Sequence, residues 1–338
     1  MVNDTALRGV GVGLFMAWVF VALGVVLLFL GSEGLLRGGI GVSKAVGLSP
    51  VLIGLFVVTI ASCAPELSVV LQTIARAPDV AVSAVIGSNI INILLIMGLG
   101  ALFTQLPTPP KTVFRDGIVL ILSCAAFVVA AMDGRLTQIE GYILLGGFVV
   151  YAAISIITDW NRAAQDSEAR AQCRGASDAP GINLFVVFLG VVGVVLGGRC
   201  LIDGALSAAA HYHVSGTMTG LTVMAVAVAL PELVLMVMMA RRDWSFVTAG
   251  HLLTASIFNI LVVIGLAAVL HPFAITAGPQ NPDIYIMLGA AVLLFPLMIH
   301  AWRLSRPNGL LLIVLYLVYA AYIVQRMGYL PAHIPYLG

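Results

Sequence analysis

Glu66 and Glu232 are the residues best placed to do chemistry in this sequence. Each directly follows a proline, in CAPEL (63–67) and ALPEL (229–233), deep inside a long apolar run. A charge at the bilayer centre costs about 2.5–3.5 kcal/mol on insertion scales, so an acid at that depth points to function. One such acid can be a protonated glutamate bridging two helices; two at matching positions point to a shared ligand. Pro65 and Pro231 have no N–H to offer the carbonyls of Ala61 and Ala227, which leaves backbone oxygens free at membrane depth. Ser62 precedes Glu66 by one helical turn, so its hydroxyl shares the carboxylate's face. Ser88 with Asn92, and Ser256 with Asn259, are four and three residues apart, so each pair also shares a helix face. Together these groups form an all-oxygen donor set. Hard cations take such a set: Ca²⁺ binds ~6–8 oxygens, and two carboxylates neutralise it. Zinc or copper would want imidazole or thiolate, which these positions largely lack. Cys63, Cys124, Cys173 and Cys200 are widely spaced with no CxxC, which argues against a thiol metal site. Cys63 reads as filler beside the site. His211 and His213 read as a solvated loop pair.

The elements that hold these residues must be membrane helices. Of 338 residues, 61% are hydrophobic and 9% charged, with a mean hydropathy of +1.10; soluble domains run nearer ~45–50% and ~25%. That excludes a soluble enzyme and a disulfide-knit secreted domain. A net charge of +1 without a basic cluster argues against nucleic acid as a partner. The apolar runs are too long and continuous for a β-barrel. Ten spans are expected, near 10–31, 50–75, 79–104, 113–132, 137–158, 182–207, 215–240, 244–271, 281–301 and 307–327. The first reads as a retained span, not a cleaved signal peptide. The polar stretch 159–181 reads as a cytoplasmic linker between a first half, 1–158, and a second half, 182–338. Eleven of sixteen Lys and Arg fall on the side that carries this linker and four on the other, so both termini are expected outside the cell membrane.

The halves repeat each other. Residues 47–76 match 213–242 at an offset of 166, which aligns Pro65 and Glu66 with Pro231 and Glu232. One inserted residue later, 87–102 match 254–269, aligning Asn92 with Asn259. Five spans separate the copies, so they cross the bilayer in opposite directions. The expected fold is an all-α integral membrane protein, ten transmembrane helices as two inverted five-helix repeats. Such repeats are the signature of secondary transporters, with the site at their interface. Glu33 with Arg37, and Arg199 with Asp203, are expected to be interfacial charges at span ends.

The CAPEL and ALPEL segments are each followed by a span containing S-N-I-I-N or A-S-I-F-N. These motifs resemble the α-repeats of the calcium/cation antiporter superfamily, which includes the sodium/calcium exchangers. The likeness covers roughly 31–102 and 197–269, and the five-plus-five layout agrees beyond them. It implies that Glu66 and Glu232 ligate Ca²⁺ and share in binding Na⁺. It also implies that Ser62, Ser88, Asn92 and Asn259 flank them, and that Thr59 and Ala225 offer backbone carbonyls. The second repeat departs from the pattern: Val228 and Ala255 stand where hydroxyl ligands are expected, and His251 replaces an asparagine. The function this implies is exchange of Ca²⁺ for Na⁺ by alternating access, with spans 1 and 6 as the long sliding pair. Proton-coupled cation exchange is the alternative, and a degenerate, non-transporting membrane protein is a third reading. No enzyme motif sits on facing spans. No cofactor is implied; Ca²⁺ and Na⁺ or H⁺ are cargo, and the bilayer is the partner. His251 reads as an entry-loop hydrogen-bonding residue.

Overall fold

The computed structural model describes residues 2–45, 59–108, 110–163, 180–212, 214–241, 245–275 and 281–327. The apolar runs are helices: α1 (Val2–Ala45), α2 (Thr59–Ser62), α3 (Ala64–Thr73), α4 (Pro78–Thr104), α5 (Val113–Ala131) and α6 (Gln138–Ala163) in the first half. The second half supplies α7 (Pro180–Tyr212), α8 (216–241), α9 (245–270), α10 (Pro282–Ile299) and α11 (Arg306–Arg326). Among the described residues, nine helices are long and apolar enough to cross a bilayer. The expected span at 50–75 lies partly outside the described residues, as does most of the linker 159–181.

Two expected boundaries need correction. The first span does not stop at 31, nor the sixth at 207; α1 runs on to Ala45 and α7 to Tyr212. Glu33 and Arg37 therefore pair one turn apart within α1 rather than at its end. The glycines that look like helix breakers there are packing residues instead. A β-carbon on Gly31 would lie 2.6 Å from the Val194 backbone nitrogen, and one on Gly190 would lie 2.7 Å from that of Leu35. Glycine costs a helix roughly 0.5–1 kcal/mol relative to alanine, and here it lets two backbones touch along much of their length.

At the centre α4 crosses α8. A β-carbon on Gly220 would lie 2.5 Å from the Val80 carbonyl oxygen, and one on Gly87 would lie 2.6 Å from Ala225 Cβ. Most of α4 and α9 is enclosed by protein. Outer helices turn Leu122, Val149, Ile157 and Leu317 outward, as a lipid-facing surface requires.

Outside the centre, features recur in pairs at nearly the repeat offset. The strand β1 (Leu106–Pro107) pairs antiparallel with β4 (Arg303–Leu304), and β2 (Arg135–Leu136) pairs with β3 (Phe273–Ala274). Adding 167 to 106 gives 273, and adding 168 to 136 gives 304. Each two-residue ladder joins one connection from the first half to one from the second. Gly98 meets Gly309 between α4 and α11, as Gly265 meets Gly141 between α9 and α6.

Two acids beyond Glu66 and Glu232 are also removed from solvent, because Asp116 and Asp283 are buried. Tyr151 donates to Asp116 (3.1 Å) and Tyr319 to Asp283 (3.3 Å). Arg115 and Arg326 complete the respective clusters as ion pairs. Asp116 and Asp283 are again 167 apart.

Candidate cation site

The first repeat bends its site helix open. Between α2 and α3, Cys63 has φ −84° and ψ 1°, and Pro65 occupies the first turn of the new helix, where its missing N–H is no loss. The second repeat takes the other course: α8 continues through Pro231 within Ala225–Arg241. Both helices bring their glutamates to complete burial.

Ser88 Oγ donates to Glu66 Oε1 at 3.0 Å, joining α4 to α3. Glu66 Oε2 has no hydrogen-bond partner among the described residues, nor does either oxygen of Glu232. The two carboxylates lie within electrostatic range of each other, and Glu232 also stands near Ser62 and Cys63. Ser62 Oγ donates to the Thr59 carbonyl at 3.1 Å. Asn259 lies beside Glu66, fully buried, with Oδ1 unpartnered. Three of four carboxylate oxygens and one amide oxygen are thus buried without a donor. Orphaned acceptors are rare in native interiors, and a cation is the partner that would satisfy several at once. The residues fit a hard cation. No cluster of three His, Cys, Asp or Glu is present among the described residues, so amides, hydroxyls and carbonyls must complete any such coordination.

The structure links Glu66, Ser88, Ser62, Thr59, Glu232 and Asn259 into one region. Asn92 and Ala225 stand on its flanks. Asn92 is one turn beyond Ser88, fully buried and with both side-chain polar atoms unpartnered, while Ala225 presses on Gly87. Asn92 falls in a π-helical turn, Ile91–Ile96, and Asn259 opens another, Asn259–Ile264. Such turns widen a helix locally and concentrate at functional sites. The missing hydroxyls of the second repeat have a visible result. Ser88 anchors Glu66, but Ala255, buried in the corresponding place, has nothing to donate to Glu232.

Two residues depart from their expected roles. Cys63 is more than filler, because its thiol faces both the Ala255 carbonyl and Ser62 Oγ at 3.9 Å. His251 is buried inside α9, and neither ring nitrogen has a partner among the described residues. One residue escaped the spacing argument: Asn89 spans from α4 to α9, its Nδ2 donating to the Ser256 carbonyl at 3.4 Å and its Oδ1 accepting from Asn259 Nδ2 at 3.2 Å.

A polytopic helical membrane protein with a buried oxygen-donor centre is the class defined so far. The family described as sodium/calcium exchanger protein matches residues 16–157 and 182–325. The chain belongs to that family of membrane antiporters, which are carriers rather than enzymes. It is 29% identical over 313 residues to CaxA of Alkalimonas amylolytica, which carries the name of an antiporter, with 90% of this chain and 98% of that protein covered. It is 28% identical to the inner membrane protein YrbG of Escherichia coli, covering 88% and 92%. It is 24% identical to the sodium/calcium exchanger MaX1 of Methanosarcina acetivorans, covering 89% and 97%. The fold matches that of the sodium-calcium exchanger NCX_Mj with a TM-score of 0.66 at 22% identity, covering 91% of this chain and 98% of that one.

Proposed function

We propose that the protein exchanges Ca²⁺ for Na⁺ across the cell membrane by alternating access. The observation that carries this reading is the pair of fully buried glutamates with three of four oxygens unpartnered among the described residues. Two uncompensated carboxylates at membrane depth are costly, so the site crosses readily only when cations fill it, and that makes exchange obligatory. Glu66 and Glu232 are the shared ligands. Ser62, Ser88, Asn92 and Asn259 add side-chain oxygens, and Thr59 and Ala225 add carbonyls. The ions are cargo and no prosthetic group is needed.

The architecture we propose is ten spans in two inverted five-helix halves, 1–158 and 182–338, joined by a cytoplasmic linker at 159–181. Its support is the set of features paired near an offset of 167: the two ladders, the two glycine contacts and the two Asp–Tyr clusters. The site lies at the interface of the halves, as in inverted-repeat transporters.

A second reading, proton-coupled exchange, is favoured by one observation. Ala255 gives Glu232 no counterpart to the Ser88 hydroxyl that holds Glu66, and Val228 and Ala255 remove oxygen ligands from its side of the site. The experiment that tests both is uptake of labelled Ca²⁺ into proteoliposomes under separately imposed Na⁺, K⁺ and H⁺ gradients. Uptake driven by an outward Na⁺ gradient supports the first reading, and uptake driven only by H⁺ the second. Glu66→Gln and Glu232→Gln should each abolish uptake while the protein still inserts. Near-normal flux in both variants would place the site elsewhere.

A further inference from the structure

We infer that Cys63 is a specificity-determining residue: it gives the cation site one soft ligand, so that the site binds thiophilic divalent cations more tightly than Ca²⁺. The inference rests on the reading of Glu66 and Glu232 as a cation site and narrows the class of ion that this site holds best. Cys63 is fully buried at the bend between α2 and α3. Its Sγ lies 3.9 Å from Ser62 Oγ and 3.9 Å from the Ala255 carbonyl oxygen on α9. The thiol also stands beside Glu232 and within electrostatic range of Glu66.

The neighbours of the thiol make it part of a ligand set. Glu232 is fully buried, and neither of its carboxylate oxygens has a hydrogen-bond partner among the described residues. No group of three His, Cys, Asp or Glu converges among the described residues, so Cys63 and Glu232 act as a pair. The Ser62 hydroxyl and the Ala255 carbonyl, both beside the sulfur, are the oxygens that would complete it. Repeat symmetry shows what the sulfur replaces. Ser88 Oγ stands 3.0 Å from Glu66 Oε1, and Ala255 is its counterpart on the side of Glu232. Where that hydroxyl is missing, the thiol lies against the main chain of the same residue. Cys63 itself matches Ala229 in the second repeat, so the site carries a single sulfur, on the side poorer in oxygen.

Sulfur separates ions that oxygen treats alike. Carboxylates, hydroxyls and carbonyls hold Ca²⁺ chiefly by charge and dipole, and they hold Cd²⁺, close in radius and equal in charge, in much the same way. A thiolate adds a strong bond to the soft ion and little to the hard one. Coordination replaces the thiol proton: the S–H bond breaks, the S–metal bond forms, and the proton leaves to bulk water. Ca²⁺ gains too little from sulfur to drive that replacement, so it binds through oxygens with the thiol intact.

The test uses the full chain with Cys124, Cys173 and Cys200 replaced by serine, and Cd²⁺ as the probe. The first readout is competition: the Cd²⁺ concentration that halves labelled Ca²⁺ uptake into proteoliposomes, set against the half-saturating Ca²⁺ concentration. The second is thiolate-to-cadmium charge-transfer absorption in the ultraviolet, recorded on protein in detergent. Cd²⁺ should outcompete Ca²⁺ roughly tenfold or more, and the absorption band should appear as it binds. Cys63→Ser exchanges sulfur for oxygen; it should lower the ratio of Cd²⁺ to Ca²⁺ affinity roughly tenfold or more and abolish the band. Cys63→Ala serves in the same comparison if the serine variant fails to insert. Where the triple-serine background does not assemble, the difference spectrum between wild type and Cys63→Ser gives the same reading. No band in the parent, or an unchanged affinity ratio in Cys63→Ser, would overturn this inference while Ca²⁺ uptake sensitive to Glu66→Gln left the exchanger reading standing. A parent that carries no Ca²⁺ would remove the exchanger reading. The band then decides alone: lost in both Cys63→Ser and Glu232→Gln it supports the paired ligands, and retained in Glu232→Gln it overturns them.

Discussion

Glu66 and Glu232 occupy matching positions in the two repeats, yet Ser88 donates to one and Ala255 has nothing to give the other. The carboxylates should therefore differ in freedom, with Glu232 depending more heavily on its cation. A dehydrated monovalent ion needs several oxygen dipoles, and the methyl groups of Val228 and Ala255 supply none. The double variant Val228→Thr with Ala255→Ser should lower the Na⁺ concentration needed for Ca²⁺ exchange and steepen the response. Steep, high-affinity Na⁺ activation in the wild type, unchanged in the variant, would show that these positions do not touch the ions. The two glutamates and the missing hydroxyls were legible because repeat alignment sets residue against residue. Asn89 was not, because its partner lies 170 positions away and no helical spacing connects them.

At the scale of elements, the Asp116–Tyr151 and Asp283–Tyr319 clusters hold α5 to α6 and α10 to α11. They are not equivalent. Tyr151 also lies 3.0 Å from Thr254 Oγ1, so the first cluster reaches α9 one residue before Ala255, whereas among the described residues no hydrogen bond from Tyr319 to a site helix accompanies the second. Tyr151→Phe leaves both Asp116 and Thr254 short of a partner and should cost about 1–2 kcal/mol; Tyr319→Phe affects one and should cost about half that. Thermal denaturation in detergent checks this, and equal losses would mean that the Thr254 contact contributes nothing. Neither cluster was legible beforehand. Asp116 and Asp283 fall near span ends, where an acid reads as solvated, and the tyrosines that bury them come from the next helix. Helix lengths were misread for a related reason. Gly31 and Gly38 look like terminators in isolation, but across from them stands the backbone of α7.

At the scale of the whole molecule, the distribution of Lys and Arg fixes an orientation to be tested. A reporter active only in the cytoplasm should fail when fused after Gly338 and succeed when placed near Ala176. The reverse pattern would invert the assignment of the two mouths. Arg37 and Lys44 lie within α1 and not in a connection, so the excess on the linker's side rests chiefly on the linker and on the connections near 111, 241 and 303. The two short ladders carry a mechanical consequence. Each stitches a connection of one half to a connection of the other, and together they pin the ends of α4, α5, α6, α9, α10 and α11. Those six helices form a frame fastened at two separate points, and a hinge between the halves would have to tear one fastening to open. On the alternating-access mechanism we propose, opening at alternate faces would fall to the unfastened helices. Of these, α1 and α7 share the smooth glycine seam, along which displacement parallel to the axis breaks no ladder hydrogen bond.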